Sequence, residues 1–354
     1  MKHKKGVAFY VFLGIVFSIV YLIFAAQPLG KEYQFIPQWK LDVNAQTQKT
    51  TVAGEKPLYF KLGQTMGYFT ESGTLLSTET FPFKAAISEH YYAPYNTYGS
   101  AIDFFTPDGK KAGTITESGF PLFDKDRIFV FLAGGASFVE CDPDGRRKWE
   151  YNGTVPITAF DSSPSGCVAG FADGTVRQFS PDGTLVQKFA PGGSDYQVIL
   201  GAALSQDGSM IALISGQNRQ RFILTKKYDA QQSKIIFHEY IAQSDSRQRL
   251  VQFSKDGCTV WYNYKDTLGI VDVGNGKNTH IAIRGQAISL AESGDLVFVL
   301  TKNDTIYTVY VIEKFDTVSA SFSFDAQTAF IRTDGENLFI GKDSEISRIK
   351  IVKN

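Results

Sequence analysis

At 354 residues the chain is long enough for one large domain or two average ones, and 20% charged with 43% hydrophobic residues excludes a disordered polypeptide. Its 36 Lys and Arg balance 36 Asp and Glu, so the formal net charge is zero, no broad field draws a polyanion, and nucleic acid is not an expected partner. With 29 Phe and 17 Tyr against 3 Met, the composition favours strands, where aromatic side chains pack well on a pleated surface.

The chain opens on residues 1–6, which carry Lys2, Lys4 and Lys5 and are expected to form a short cytoplasmic tail. Residues 7–26, VAFYVFLGIVFSIVYLIFAA, are uncharged. That is the length, about 20 residues, that a helix needs to cross a bilayer. Lysines ahead of such a run stay on the cytoplasmic side. The expectation is a transmembrane signal anchor in the cytoplasmic membrane, single-pass, with everything after it on the periplasmic or extracellular side. A cleaved signal peptide has a shorter apolar core, about 7–15 residues, and small residues at its exit. Here Phe24 stands where a small residue is wanted, and no cysteine follows to take a lipid. Residues 27–38 are then a linker and residues 39–354 a single folded domain.

Past Trp39 the chain alternates strands and turns with no helical stretch, so internal repeats are sought first. Turns ending in Gly73, Gly109, Gly145 and Gly183 recur at steps of 36, 36 and 38 residues. A second series, ending in Gly166, Gly208, Gly257, Gly294 and Gly335, steps by 42, 49, 37 and 41. Residues 155–189 contain both, and parse as four strands: ITAFDSS, CVAGFA, TVRQFS and TLVQKF. Asp and Gly suit the turns between them because hairpins often require positive φ. Four short antiparallel strands in about 40 residues is the arithmetic of a propeller blade.

Other units follow at residues 84–116, 119–152, 199–242, 249–283 and 287–324. The last unit has three strands only, TAFIRT, NLFIG and ISRIKIV. A closed ring needs a fourth, and WKLDV at residues 39–43 is the natural donor, which also removes an open sheet edge. With residues 50–80 as the first unit the prediction is an all-β, eight-bladed β-propeller behind one N-terminal transmembrane helix. Seven blades is the alternative, because the opening strand of the first unit is weak. The first strand of each unit is nearly continuously apolar, as expected of a strand covered on both faces.

The segment FVECDPDGRRKWEY, residues 138–151, resembles the repeat of quinoprotein-like propellers, with Asp142, Gly145 and Trp149 in the places of its Asp, Gly and Trp. ALSQDGSMIAL and VQFSKDGCTVWY look like WD40-like and TolB-like blades, although no Trp-Asp dipeptide is present. Membrane-tethered eight-bladed propellers of the BamB kind are scaffolds for partner proteins. The resemblance implies a similar role here, with an envelope or membrane protein as partner, and departs from it in having no lipidated cysteine.

No residue is singled out as catalytic, cofactor-binding or metal-binding, and no cofactor is expected. A quinone-dependent enzyme would need Trp stacked in the funnel and, often, vicinal cysteines. The three tryptophans are Trp39, Trp149 and Trp261, and Trp149 falls on an outer strand, where it locks adjacent blades. Cys141, Cys167 and Cys258 are widely spaced, so buried free thiols are the simplest reading, with a disulfide between two of them left open. His90, His238 and His280 lie in different units without helical metal-ligand spacing. Asp142-Pro143-Asp144-Gly145 lacks the further oxygen ligands of a calcium loop.

Two segments stand out for recognition. Residues 90–99 concentrate Tyr91, Tyr92, Tyr95 and Tyr98, a residue type favoured at interfaces, although packing of alternate rings between blades is the simpler reading. The hairpin carrying Lys226, Lys227 and Tyr228 is the longest excursion from the repeat, and long loops on rigid scaffolds often bind partners. The expected function is a non-enzymatic, protein-binding scaffold outside the cytoplasm. A propeller enzyme, either a quinone-dependent dehydrogenase or a metal-assisted hydrolase, is one alternative. A ligand sensor acting through a membrane partner is the other.

Overall fold

The computed structural model describes residues 3–25, 32–47, 55–96, 101–228, 233–242, 246–313 and 317–353. One helix, α1 (His3–Ala25), precedes the strands. Strand β1 (Tyr33–Asp42) comes next. Blade 1 holds β2 (Leu58–Leu62), β3 (Thr65–Phe69) and β4 (Leu75–Thr80). Blade 2 holds β5 (Lys84–Ile87), β6 (Tyr92–Tyr95), β7 (Ile102–Phe105) and β8 (Lys111–Ile115). Blade 3 is β9 (Gly119–Asp124), β10 (Arg127–Leu132), β11 (Phe138–Cys141) and β12 (Arg147–Tyr151). Blade 4 is β13 (Ile157–Ser163), β14 (Gly166–Phe171), β15 (Val176–Phe179) and β16 (Leu185–Phe189). Blade 5 is β17 (Ile199–Leu204), β18 (Met210–Ser215), β19 (Arg221–Lys227) and β20 (Ser233–Tyr240). Blade 6 is β21 (Val251–Phe253), β22 (Thr259–Tyr264), β23 (Thr267–Asp272) and β24 (Asn278–Ala282). Blade 7 is β25 (Gln286–Ser293), β26 (Leu296–Asn303), β27 (Ile306–Glu313) and β28 (Thr317–Asp325). Blade 8 is β29 (Ala329–Asp334), β30 (Asn337–Lys342) and β31 (Glu345–Lys353), completed by β1.

These are eight antiparallel sheets, so the eight-bladed expectation holds over the seven-bladed one. The ring closes as anticipated, by β1 pairing antiparallel with β31. Pairing starts at Tyr33↔Lys353, so the closing strand begins inside the stretch read as a linker over residues 27–38. Blade 1 has three strands among the described residues. Its β3–β4 turn, with Thr70 N–H bonded to Thr74 O and Gly73 N–H to Thr70 O, repeats the outer turns at Thr106, Asp142 and Ser180. By that correspondence β2–β4 match the second to fourth strands of the other blades. The opening strand expected from residue 50 falls partly on residues 48–54, which lie outside the described residues.

The N-terminal helix requires a correction. Residues 7–26 were expected to span a membrane, but among the described residues no helix is long and apolar enough to cross one. The helix itself forms and takes in His3, Lys4 and Lys5 at its start.

Burial is greatest on the second and third strands; of the first strands, β17 is wholly buried as its apolar sequence predicts, and the others less so. The second strands β14 and β18 are almost wholly buried, whereas β13 and β29 are mostly half-buried and β20 and β28 mostly exposed. Middle strands have neighbouring blades on both faces; inner strands border the channel and outer strands the solvent. Each of the eight seams carries its own apolar cluster. Met66, Phe81 and Ala85 join blades 1 and 2, and Phe69, Leu75, Phe339 and Ile346 join blades 8 and 1. The seams also have polar locks. Arg127 pairs with the buried Glu140 at 2.6 Å and donates to Ser163 O of the next blade at 2.8 Å. All three cysteines are free, Cys141 and Cys167 buried and Cys258 exposed, so no disulfide forms among them.

Candidate functional site

The two tyrosine- and lysine-bearing segments meet different fates. Tyr91 lies edge-on to Phe104 at 5.3 Å and to Phe123 at 6.0 Å, and Tyr95 packs against the same cluster between blades 2 and 3. Tyr92 stacks on Phe105 at 5.4 Å and lies 6.0 Å from Tyr68 across the seam with blade 1. Burial pushes all three phenols above their ordinary pKa. These rings form seam packing, not a free patch. Tyr98 lies outside the described residues.

Lys226, Lys227 and Tyr228 end β19 and lead into the outer hairpin of blade 5, whose tip, residues 229–232, lies outside the described residues. Lys227 and Tyr228 line a cleft of about 380 Å³ between blades 4 and 5. Ser165, Gln178, Asp207 and Ser209 line it too, with Val186 as an apolar wall. Lys226 is exposed beside it.

Each side of the cleft is held by bonds between elements. The Lys227 N–H donates to Ser209 O at 2.8 Å, which ties the hairpin to the first turn of its own blade. Ser165 Oγ donates to Gln206 O at 2.6 Å, and Gln178 Nε2 to Gly208 O at 2.9 Å, so blade 4 grips the turn of blade 5. Gln187 donates to Gln178 Oε1 at 2.6 Å and accepts from Ser233, which extends the chain of bonds to β20. Gly208 has φ +70°, and a Cβ there would stand 2.8 Å from Ser165 Cβ. That turn therefore needs glycine both for its backbone and for the close approach of the blades.

The electrostatics are mixed. Ser205 Oγ donates to Asp207 Oδ1 at 2.6 Å and the Ser209 N–H at 3.0 Å, which holds the Asp207 carboxyl below the usual carboxylate range. The Lys234 ammonium stands 5.1 Å from the centre of the Tyr228 ring, which is 60% exposed. A carboxylate, an ammonium, an amide, hydroxyls and an exposed ring suit recognition of a mixed polar surface. Among the described residues the lining has no His, no Cys and no second carboxylate. Among the described residues no group of three or more His, Cys, Asp or Glu is placed to hold a metal ion. His280 instead pairs with Glu239 at 2.9 Å across the rim of blades 5 and 6.

The sequence drew attention to Lys226, Lys227 and Tyr228 by hairpin length. It offered no signal for Ser165, Gln178 or Asp207, which looked like ordinary turn and strand residues until blades 4 and 5 stood side by side.

Comparison with known proteins agrees with the architecture. A family model described as a beta-propeller protein matches residues 1–354. A protein of Treponema pallidum (strain Nichols), described as uncharacterized, is 33% identical over 319 residues, 85% of this chain and 82% of that protein. Among solved structures, BamB from Moraxella catarrhalis superposes with a TM-score of 0.63 at 10% identity, over 90% of this chain and 100% of that one. The β-propeller domain of Myceliophteria thermophila Cps50 (Swd1) gives 0.52 at 11% identity, over 74% and 93%. At such identities the likeness is one of fold.

Proposed function

The chain belongs to the β-propeller protein family, and from that premise we propose that it is a non-enzymatic scaffold that binds a protein partner at the cleft between blades 4 and 5. The observation that carries the proposal is Tyr228, an exposed aromatic ring next to Lys227 and the ionised Asp207 on walls already locked by hydrogen bonds. A rigid surface loses little conformational freedom on binding, and aromatic anchors in such surfaces carry much of the binding energy. The fold likeness to BamB supports a scaffold over an enzyme only by analogy of architecture.

We also propose that this work is done outside the cytoplasm, in the cell envelope. Lys2, Lys4 and Lys5 ahead of the uncharged residues 7–26 are a charge pattern that export leaders share, and the setting does not require that helix to span a membrane. A phosphatase reporter fused after residue 354 is expected to be active only if it is exported, and activity confined to a cytoplasmic reporter sinks the location.

Affinity capture with the full chain tests the binding proposal. The wild type is expected to retain a defined partner that the Lys227→Glu, Tyr228→Ala double variant binds at least about tenfold more weakly, a change of about 1.4 kcal/mol. Equal retention by both chains overturns the assignment of the cleft.

A further inference from the structure

At the opposite end of the same seam lies a larger cavity of about 620 Å³, within the range of about 300–1,000 Å³ typical of small-molecule sites. Asp195, Tyr196 and Gln197 line it from the connection into blade 5, Gln217 from the turn between β18 and β19, Thr158 from β13, and Gln248 from the link to blade 6. Ile157, Val198 and Leu200 supply apolar floor.

The connection into blade 5 is fixed in place. Arg221 donates to Pro191 O at 2.9 Å and Gly192 O at 2.8 Å. The Gln217 N–H donates to Tyr196 O at 3.0 Å, and the Gly216 N–H to Val198 O at 2.8 Å. Asn218 donates to Asp195 Oδ2 at 3.3 Å and accepts from Ser194 Oγ at 2.5 Å. On this pinned loop Tyr196 remains 66% exposed at the cavity edge. With the backbone that carries this ring already held, little loop ordering is left to be met on binding, which suits an exposed aromatic ring to serve as a ligand platform.

The lining chemistry selects among ligands. Among the described residues no lysine, arginine or histidine lines the cavity, which disfavours phosphate or carboxylate ligands. Three carboxamides, two hydroxyls from Thr158 and Ser246, a phenol and one carboxylate dominate the polar surface. A carboxamide presents a donor and an acceptor side by side, and a hydroxyl is both at once. Adjacent hydroxyls of a sugar ring match that pairing. An extended peptide would need open backbone partners to add to a sheet. Here Tyr196 O and Val198 O are taken up by the turn, Leu200 O by the Arg249 N–H, and Thr158 O by Gln248 Nε2 at 2.8 Å.

We propose that this cavity binds a neutral oligosaccharide, with the Tyr196 ring against the apolar face of one sugar and Gln197, Gln217 and Asp195 on its hydroxyls. It is a second site, independent of the protein-binding cleft at the other end of the seam.

Saturation-transfer NMR on the full chain tests this, with chitotriose, maltotriose and a neutral Gly-Ser peptide as probes at millimolar concentration. Saturation is expected to reach the ring protons of at least one trisaccharide. Affinity is expected to fall at least about tenfold in Tyr196→Ala and in Gln217→Ala, to survive in Tyr196→Phe, and to be unchanged in Tyr228→Ala. Thermal melts of the variants separate lost binding from lost fold, since an exposed ring contributes little to stability. No transfer to either trisaccharide, equal transfer in Tyr196→Ala, or transfer to the peptide alone overturns the proposal.

Discussion

Asp161 sits on the inner strand of blade 4, and its carboxyl accepts the Leu204 N–H of blade 5 at 2.8 Å. The residue as a whole is half-buried, but the carboxyl is enclosed by the seam. That burial pushes its pKa up to about 7; the nearby Asp124 charge acts in the same direction, and the Leu204 and Ser162 N–H groups oppose it. A carboxyl raised above its unfolded value near 4 favours the folded state while protonated. Stability is therefore expected to fall as pH rises from about 4 to about 7, by up to about 1.4 kcal/mol per pH unit. Denaturant unfolding of Asp161→Asn, which keeps an acceptor for Leu204, should show that slope flattened. A slope equal to the wild type's rules the group out. The cysteines behave by place rather than by type. Burial raises Cys141 to about 12 and Cys167 further, whereas Cys258 is exposed, with its thiol raised chiefly by the neighbouring Asp256 charge. A thiol reagent on the native chain is expected to label Cys258 alone, and all three cysteines only after unfolding; fast native labelling of a second thiol counts against the packed seams.

The blade seams explain why certain turns carry glycine. Trp149 on β12 lies against the outer turn of blade 4, where a Cβ at Gly183 would come within 2.6 Å of the indole. Its Nε1 donates to Glu140 Oε2 at 3.1 Å, which fixes the ring. Trp39 on β1 repeats the arrangement at the closing seam, 3.0 Å from a Cβ at Gly73, with Nε1 donating to Glu71 O at 3.0 Å. Gly109 occupies the equivalent turn with φ +80° but has open space around it. Gly109→Ala should therefore cost only the backbone penalty, about 1 kcal/mol or more, and Gly183→Ala that penalty plus displacement of the indole. Equal losses in denaturant midpoint would show that the tryptophan does not lock the seam.

Closure depends on β1. Nine residues pair with β31, with a bulge at Gln38, and Arg348 reinforces the seam by donating to Glu71 Oε1 at 2.6 Å and to Asn337 Oδ1 at 2.9 Å. Removing residues 1–42 exposes β31 as an open edge, a template for pairing between chains. The truncated chain is expected to form concentration-dependent oligomers in size-exclusion chromatography and to melt at lower temperature. A peptide of residues 33–42 is expected to restore the monomer. A truncated chain that stays monomeric and melts like the wild type would mean that the ring does not rely on this strand. Both cavities lie on the seam of blades 4 and 5, one at each end, so a stiff seam serves both proposed sites.

Local chemistry is what the amino-acid order determined unaided. Turn glycines and aspartates recur at blade spacing because hairpins need positive φ there, so the number of blades, most strand positions and the donor strand for closure were legible. Trp149 as a lock between blades was legible too, since an outer-strand indole has only the next blade to meet. The membrane-spanning reading of residues 7–26 rested on composition alone, and among the described residues no helix is long and apolar enough to cross a membrane. Packing of the tyrosine cluster between blades was legible as a reading of the sequence, but its partners Phe104, Phe105 and Phe123 come from other strands and only the tertiary structure names them. The cleft and the cavity were decided by tertiary structure alone. Their walls combine residues separated by dozens of positions, from Thr158 to Gln248, and no local pattern encodes which turns will face each other once two blades are pressed together.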